Sequence, residues 1–473
     1  MLFNSIEFLL FFPVVTAFFF LLPHKHRWLL LLLASCFFYM FFKPEYILIL
    51  IVTIVIDYFA GILLEDEHDK RKKKRYLTLS LVANIGVLAI FKYYNFLNGN
   101  ITGIASLMGF KNPMPVMSMI LPIGLSFHTF QAMSYTFEVY KGNQKAERHF
   151  GIYALYVMFY PQLVAGPIER PQNVLHQFYV KQQFSYHNAV RGLNLIAYGL
   201  FKKIVIADRL SEYVNHVYRN IDNASSLSTL IAVFFFSIQI YCDFSGYSDI
   251  ALGTARFMGF DLMTNFNRPY LSTTISEFWS RWHISLSTWF RDYLYIPLGG
   301  NRSGKMKWYR NIFTVFMVSG LWHGANWTFI VWGALHGVYN LFGIITQDIR
   351  KAMAKAVGIT RMPVFHKVVN QLTVFLLVSF AWIFFRAESF DKAGRIIHKI
   401  SECDFSRNMS QLTADKGPFN FLLDFVVIGL LALSYKLPVN LKLKHNLLFL
   451  TVITFLIIIL GKNAAADFIY FQF

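Results

Sequence analysis

The chain has 473 residues, of which 56% are hydrophobic and only 15% are charged. Soluble globular proteins usually carry about a quarter charged residues, so this composition excludes an ordinary soluble enzyme and predicts a polytopic membrane protein. The net charge of +18 does not indicate nucleic acid, because basic residues collect in the cytoplasmic loops of membrane proteins, beside anionic lipid. Three scattered cysteines are too few for a disulfide framework or a zinc site, so no metal is expected.

Apolar runs of transmembrane length recur along the whole chain. The early runs are regular, whereas several later ones are interrupted by proline and glycine. No internal repeat and no separate soluble domain stands out, so we interpret residues 1–473 as a single membrane-embedded domain. The predicted apolar segments lie at 6–22, 28–42, 45–64, 76–97, 119–140, 150–167, 188–207, 228–259, 310–345, 368–386, 420–436 and 446–461.

The loops between the first spans predict their orientation. Residues 65–75 hold six Lys or Arg, so the positive-inside rule places this loop in the cytoplasm. Counting backwards places the turn at 23–27 in the cytoplasm and the N-terminus outside. Counting forwards places residues 98–118 outside and residues 141–149, with three Lys or Arg, back in the cytoplasm.

The centre of the chain departs from a plain helix bundle. Residues 160–172 contain three prolines and predict a broken or re-entrant segment. Residues 274–302 are too polar for a simple span, and their aromatic and arginine residues suit an interfacial helix or the lining of a cavity. Irregular backbone at membrane depth is tolerated only inside protein or along a water-filled cavity, so this region predicts a cavity.

Two carboxylates, Asp243 and Asp249, lie inside the apolar run of residues 239–253. They would be costly if they faced lipid. The ordinary interpretation is that they pair with arginines and hold helices together. The alternative is that they form the polar lining of a funnel.

Three histidines in the second half of the chain lie in apolar or aromatic surroundings. His283 stands among aromatic residues beside Arg281, and alone it would be an ordinary interfacial histidine. His323 and His336 are thirteen residues apart, which separates them by about 220° on a helical wheel. Either that segment breaks, or only one of the two lies at a reaction centre. Asn326 is expected on the same helical face as His323.

Two further features qualify these histidines. Gly320 and Gly324 stand close to His323, which predicts a bend or tight packing there. His128 lies in another apolar run that contains proline and glycine, and alone it is expected to be a hydrogen-bonded helix-packing residue.

Histidine can support catalysis in a membrane without a metal or a nucleotide. No P-loop, Rossmann fingerprint, HExxH or GxSxG motif is present. An imidazole can take the proton of an alcohol that attacks an activated acyl group, or it can carry the acyl group itself. The competing class is a transporter, since proton relays also use membrane histidines and carboxylates. A transporter predicts paired inverted repeats, and the sequence reveals none.

Stretches along most of the chain resemble the membrane-bound O-acyltransferase family (MBOAT) and, within it, the bacterial alginate O-acetylation (AlgI-like) branch. They occur in the family's order, which is a stronger signal than any single motif. The stretches are LPIGLSFHTFQAMSY, YPQLVAGPIERPQ, GLFKKIVIADRL, IYCDFSGYSDIALGTARFMGF, FWSRWHISLSTWFRDYLYIPLGGNR, MVSGLWHGANWTFIVWGALHG and FIYFQF.

The resemblance implies an all-α polytopic membrane fold. This fold is a ring of about eleven transmembrane helices, with re-entrant, broken and interfacial helices around a central funnel. His323 matches the family's catalytic histidine, His283 matches its second active-site position, and His336 matches a further, supporting histidine of the branch. His128 departs from the aromatic residue more usual in the family. Further supporting or funnel residues are expected to be Asn326, Asp243, Asp249 and Arg281.

The resemblance also implies an activity. An acetyl group from a cytoplasmic donor, expected to be acetyl-CoA, would be passed across the membrane, with no permanently bound cofactor. His323 would activate the accepting hydroxyl or briefly carry the acetyl, and His283 would orient the acyl carbonyl or donate to the oxyanion. Arg291 and Arg302 would help to hold the donor phosphates, although a positive-inside loop explains these arginines equally well.

The expected partners are membrane lipid and an exported SGNH-type acetyltransferase, which would modify a polysaccharide such as alginate. The expected location is the bacterial cytoplasmic (inner) membrane. The alternatives within the family are D-alanyl transfer to teichoic acid, which requires a carrier protein, and peptidoglycan O-acetylation.

Overall fold

The computed structural model describes residues 1–118, 122–302, 304–404, 412–413, 416–435, 443–462 and 468–469. These residues form helices and connecting turns, with no strand among them. The predicted all-α class is therefore confirmed. The chain divides into two compact units, one formed by residues 1–196 and 249–263 and the other by residues 197–248 and 264–473. The interpretation as one domain stays a prediction.

The helices follow one another with short connections. Up to residue 180 they are α1 (Ile6–Leu21), α2 (His24–Met40), α3 (Tyr46–Asp66), α4 (Lys70–Leu88), α5 (Tyr94–Leu107), α6 (Leu125–Lys141), α7 (Phe150–Met158), α8 (Tyr160–Leu163) and α9 (Pro171–Tyr179). The remainder are α10 (Tyr186–Leu200), α11 (Asp208–Arg219), α12 (Ser226–Phe257), α13 (Ile275–Arg281), α14 (Ile284–Phe290), α15 (Lys305–His323), α16 (Trp327–Ile345), α17 (Gln347–Ala356), α18 (Pro363–Arg386), α19 (Phe390–Ser401), α20 (Pro418–Ser434) and α21 (Leu443–Leu460).

Five helical stretches in the described part of the chain are long and apolar enough to cross a membrane. They are Tyr46–Asp66, Lys70–Leu107, Ser226–Phe257, Trp327–Ile345 and Pro363–Arg386. Shorter apolar helices, such as Ile6–Leu21, accompany them. The polytopic character is therefore confirmed, whereas the ring of about eleven spans and its funnel stay predictions. The start of the segment predicted at 119–140 and the end of that at 420–436 lie outside the described residues.

A buried polar network joins three helices of the first unit. The carboxylate of Asp57 on α3 accepts hydrogen bonds from the Ser80 hydroxyl and from the Asn84 amide on α4. One turn earlier on α3, the hydroxyl of Thr53 lies 2.6 Å from Nε2 of His128 on α6. His128 is therefore the hydrogen-bonded helix-packing residue that its sequence context predicts.

The irregular centre also has the predicted character. After the four-residue helix α8, residues 164–170 turn and extend before α9 begins with Pro171. Helices α13 and α14 are short, and a π-helical turn at Arg291–Tyr295 follows them. Neither 160–172 nor 274–302 is therefore a simple membrane-spanning helix.

Candidate active site

The segment that carries His323 and His336 is broken. Helix α15 ends at His323, Gly324 is extended, and α16 begins at Trp327. The side-chain oxygen of Asn326 accepts a hydrogen bond from the backbone N–H of Thr328 at 3.1 Å, which caps the new helix. The thirteen-residue spacing therefore does not describe one straight helix, and the first of the two sequence alternatives is correct.

Asn326 does not occupy the predicted position on the helical face of His323. Its side chain caps α16, and its amide nitrogen donates to the backbone oxygen of Glu388 at 2.9 Å. The prediction was wrong because the helical periodicity that it assumed ends at His323. Asn326 instead fixes the turn that follows the histidine.

Glycines allow α15 and α16 to pack backbone against backbone. A Cβ atom on Gly320 would collide with the carbonyl oxygen of Phe329, and one on Gly333 would collide with that of Phe316. A Cβ on Gly324 would overlap the ring of Phe329. The predicted tight packing around His323 is thus confirmed, and it sets the position of this histidine at the end of α15.

His323 is buried among aromatic rings. Its ring centroid lies 4.8 Å from that of Trp332 and 5.4 Å from that of Phe385. Its neighbour Trp322 lies at 4.9 Å. His336 packs against the same Trp332 at 5.0 Å. The break in the helix therefore brings both histidines onto one indole, although they come from different helices.

His283 has an unusual backbone conformation and a defined hydrogen-bonding partner. It is fully buried with φ 44° and ψ 56°, in the left-handed region that few non-glycine residues adopt. Its Nδ1 lies 3.2 Å from Oδ1 of Asn265. The backbone carbonyl of the same asparagine accepts from the N–H of Ile284 at 2.9 Å. Asn265 therefore supports this turn through both its main chain and its side chain.

These contacts fix the tautomer of His283. The backbone N–H and the hydroxyl of Ser285 both approach Oδ1 of Asn265, at 3.2 and 2.9 Å. A backbone N–H can only donate, so this atom of Asn265 is the oxygen, and the imidazole nitrogen facing it must carry the proton. His283 is thus protonated on Nδ1, which leaves the lone pair on Nε2. Burial lowers the pKa of His283 to about 3, so the ring is neutral at pH 7.

His283 and His323 lie on either side of Trp322. The His283 ring is 6.3 Å from the Trp322 ring, which is itself 4.9 Å from the ring of His323. The two histidines matched by the family resemblance, although forty residues apart, therefore belong to one aromatic cluster. This cluster is the candidate active site.

His336 has the opposite tautomer. The indole N–H of Trp279 donates to its Nδ1 at 3.3 Å, so the proton of the neutral ring is on Nε2. That nitrogen is buried without a hydrogen-bond partner among the described residues. Because Trp279 occupies the lone pair, His336 is suited to donate a hydrogen bond and not to accept a proton. This agrees with a supporting role.

Helix α13 places these groups together. It carries Trp279 to His336, and the chain then turns at His283. On the same helix Arg281 forms an ion pair with Glu277 at 2.6 Å. Burial opposes ionisation of Glu277, but hydrogen bonds from Thr273 and the charge of Arg281 prevail and hold its pKa below the usual value. Arg281 is therefore already paired and braces α13.

Asp243 belongs to a buried ion cluster in the second unit. Its carboxylate lies 2.7 Å from the ammonium of Lys203, which also pairs with Asp208 at 2.8 Å. Its other oxygen accepts from the backbone N–H of Ile469 at 2.7 Å. The predicted pairing with arginine was wrong, because the cation is a lysine. The structural interpretation of Asp243 holds, while Asp249 is half-buried on the part of α12 that belongs to the first unit.

The structure does not bring Arg291 and Arg302 to the histidines. Arg291 is exposed and pairs with its neighbour Asp292 at 2.8 Å, and Arg302 is exposed before the start of α15. The length of α15 from Lys305 to His323 corresponds to about 27 Å at about 1.5 Å per residue. Donor phosphates bound at the basic end would therefore require a long extended arm to reach His323.

Sequence reasoning missed Asn265 and the three tryptophans that organise the site. Asn265 lies eighteen residues before His283, and no periodicity connects positions separated by an irregular loop. Trp279, Trp322 and Trp332 are adjacent to the motifs, and the only signal was their density in the segment. No cluster of three or more metal-binding side chains occurs within the described ranges.

The chain belongs to the membrane-bound O-acyltransferase family, whose model matches residues 28–387 and thus includes all three histidines. It is similar to the probable alginate O-acetylase AlgI of Pseudomonas syringae pv. tomato, with 40% identity over 68% of this chain and 60% of that protein. It is also similar to the peptidoglycan O-acetyltransferase of Helicobacter pylori, with 37% identity over 71% of this chain and 67% of that protein.

A more distant similarity is to the teichoic acid D-alanyltransferase of Bacillus subtilis, with 29% identity over 48% of this chain and 61% of that protein. This chain thus spans 60% of the length of the alginate O-acetylase of Pseudomonas syringae pv. tomato. All three relatives are named as enzymes that transfer an acyl group to a cell-envelope polymer or to a polysaccharide.

Proposed function

We propose that the protein is an O-acyltransferase that takes acetyl groups from a cytoplasmic donor, acetyl-CoA, for O-acetylation of an exported polysaccharide such as alginate. The observation that carries the proposal is the pair of buried histidines on either side of Trp322, one of them locked in a basic tautomer by Asn265. Family membership and the names of the relatives support the same chemistry.

The tautomer of His283 suggests a role different from oxyanion donation. A ring protonated on Nδ1 has no proton on Nε2 to give to an oxyanion, but it has a lone pair there. In this proposal Nε2 of His283 takes the proton of the accepting hydroxyl as its oxygen attacks the acyl carbon. The C–S bond of the thioester breaks, and the imidazolium returns the proton to the leaving thiolate. Asn265 orients the base, as the third member of a catalytic triad does.

His323 is then the group that contacts the acyl side of the reaction. It stands at the end of α15, across Trp322 from His283, in surroundings from which aromatic rings exclude water. Exclusion of water strengthens each electrostatic contact and protects the thioester from hydrolysis. A short-lived acyl group on His323 is compatible with this position.

The orientation of the second unit can be proposed from its charges. Residues 302–310 and 346–367 together hold nine Lys or Arg. The segments at the other ends of α16 and α18, with the neighbouring end of α11, hold five in 215–226 and 386–402. The positive-inside rule therefore places the basic ends in the cytoplasm and the end of α18 outside. This agrees with an N-terminus outside and with the bacterial cytoplasmic membrane.

The test uses the purified full chain with acetyl-CoA labelled in the acetyl group, an exported SGNH-type partner and the polysaccharide. Release of free thiol reports donor consumption, and label on the glycan reports transfer. His323→Ala should fold and lose at least about 100-fold in thiol release, since one positioned catalytic group contributes at least that much. His283→Ala should show a large, possibly incomplete, loss of the same signal.

The matched control is His187→Ala, an exposed histidine on α10, which should retain full activity. Wild-type thiol release by His323→Ala would remove this residue from the site. The identity of the relative from Helicobacter pylori makes peptidoglycan O-acetylation the second candidate. Label found on peptidoglycan strands and not on the polysaccharide would decide for it, and activity only with an acyl carrier protein would decide for D-alanyl transfer.

A further inference from the structure

A polar cavity of about 220 Å³ lies in the second unit, and the proposed mechanism does not use it. Three segments contribute to its wall: the last turns of α11, the end of α18 and the start of α19. The cavity is smaller than the roughly 300–1,000 Å³ of pockets for drug-sized ligands, so it fits one small group. The lining residues are Asn215, Tyr218, Arg219, Arg386, Glu388 and Lys392.

The cavity is electropositive. Three of its lining residues are cations and one is a carboxylate, and the carboxylate of Glu388 lies 3.3 Å from Lys392. Arg386 donates to the neutral oxygen of Asn215 at 2.8 Å, and its guanidinium lies over the ring of Tyr218 at 5.7 Å. No ion pair to Arg386 occurs within the described part of the chain. The guanidinium is therefore held in place by neutral partners, with N–H donors left for an anion.

Tyr218 provides a second, independent indication of a ligand. Its side chain lines the cavity and is only 2% exposed, yet its hydroxyl has no hydrogen-bond partner among the described residues. An unpaired buried hydroxyl is costly, and a polar ligand would satisfy it. A fixed cation beside an unsatisfied hydroxyl is the donor set that a carboxylate or phosphate oxygen accepts.

The cavity is connected to the candidate active site. The ring of Phe385 packs against His323 at 5.4 Å, and the next residue along α18 is Arg386. On the other side, the backbone oxygen of Glu388 accepts from the side chain of Asn326, which caps the turn after His323. Both ends of this short stretch of wall thus attach to the structure that holds the histidine.

We propose that the cavity binds an anionic group, a carboxylate or a phosphate, of the glycopolymer that accepts the acyl group. Arg386 and Arg219 hold its oxygens, and Tyr218 donates a hydrogen bond to it. The proposed orientation places the cavity on the outer side of the membrane, where exported polymers are found. That the bound polymer is the acceptor rests on the proposed function, whereas binding of the anion does not require it.

The test measures equilibrium binding to the full chain in nanodiscs of zwitterionic lipid. The probes are an oligo-uronate, the same oligosaccharide with its carboxyl groups reduced to alcohols, and an oligo(glycerol phosphate) of equal charge. At least one anionic probe should bind tenfold or more tightly than the neutral one. Comparison of the two anionic probes identifies carboxylate or phosphate as the natural group.

The variants Arg386→Gln and Arg219→Gln should each weaken anion binding by tenfold or more, and Tyr218→Phe should weaken it about threefold. Arg219 is exposed, so its variant is expected to fold even if the Arg386 variant does not. The control is Arg395→Gln on α19, an exposed arginine outside the cavity, which should bind as the wild type does.

Equal affinity for the charged and neutral probes would overturn the proposal. So would an undiminished affinity of Arg219→Gln, or a loss in the Arg395 control as large as that in the cavity variants, which would indicate general surface attraction. Thiol release from acetyl-CoA is measured separately. Anion binding without thiol release would contradict the proposed function alone, whereas thiol release without anion binding would contradict the cavity proposal alone.

Discussion

The side-chain oxygen of Asn265 lies 3.2 Å from Nδ1 of His283, and the backbone N–H of the residue two positions after that histidine donates to the same oxygen. The second contact identifies the oxygen, and the first then assigns the imidazole proton. An asparagine in an irregular loop thus determines which nitrogen of a buried histidine is basic. This relationship leads to the first of the predictions that follow.

Replacing Asn265 with Asp should make acyl transfer sensitive to pH. A carboxylate beside Nδ1–H stabilises the imidazolium, so the pKa of His283 should rise from its low value of about 3. The basic form would then be lost as the pH falls through the raised pKa. Thiol release measured between pH 5 and 9 should decline on the acid side in the variant and not in the wild type.

The matched control is Asn267→Asp, the same change on an exposed asparagine two residues later. It should leave the pH profile as in the wild type. An Asn265→Asp profile that follows the wild type, from folded protein, would argue against His283 as the proton acceptor.

Replacing Trp279 with Phe removes the donor to Nδ1 of His336. The buried nitrogen would lose its partner, which should lower the free energy of unfolding by about 1–3 kcal/mol. If His336 acts as a donor from Nε2, loss of the tautomer lock should also reduce thiol release, by less than tenfold. Thermal unfolding in detergent and thiol-release kinetics check the two effects, with the half-exposed Trp327→Phe as the control. Faster thiol release in Trp279→Phe would instead indicate that Nδ1 of His336 accepts a proton.

Replacing Gly320 with Ala should destabilise the hairpin of α15 and α16. The new methyl group would meet the carbonyl oxygen of Phe329, and overpacking of this kind costs about 1–3 kcal/mol. Gly429→Ala on α20 is the control, because a Cβ there meets nothing within 4 Å. The melting temperature should fall for the first variant and stay or rise for the second. Equal stability of the two would show that the helices can separate without cost.

Cys403 can report the orientation of the second unit. It is exposed just after α19, whereas Cys36 is half-buried and Cys242 is buried. The proposed orientation places residue 403 outside the cytoplasm. A membrane-impermeant maleimide added to intact spheroplasts should therefore label the wild type and not Cys403→Ser. Labelling that requires lysis would reverse the orientation and would place the neighbouring cavity on the cytoplasmic side.

Parts of this structure could be predicted from sequence because they depend on local or compositional rules. The span expected at 45–64 corresponds to α3, and the prolines after residue 160 do interrupt the helix. The separation of His323 and His336 on a wheel correctly posed the alternative of a break. The family motifs identified the two histidines that share Trp322.

Other features could not be predicted, because they depend on contacts between distant residues. The partner of Asp243 is a lysine forty residues earlier, and composition cannot tell which cation will be near. The position of Asn326 was wrong because a helical periodicity cannot show where its helix ends. The tautomers of His283 and His336 depend on Asn265 and Trp279, which no spacing rule connects to either ring.

Helix α13 and the turn after it supply both determinants within five residues, Trp279 for one histidine and the left-handed residue His283 itself for the other. The two rings are thus opposite tautomers held by a single short piece of backbone. A shift of that piece would disturb a lone pair and an N–H at the same moment. Insertion of one residue between positions 279 and 283 would preserve every side chain of the site and still separate these two settings. Evolutionary tolerance in this segment should therefore be greater for substitution than for change of length.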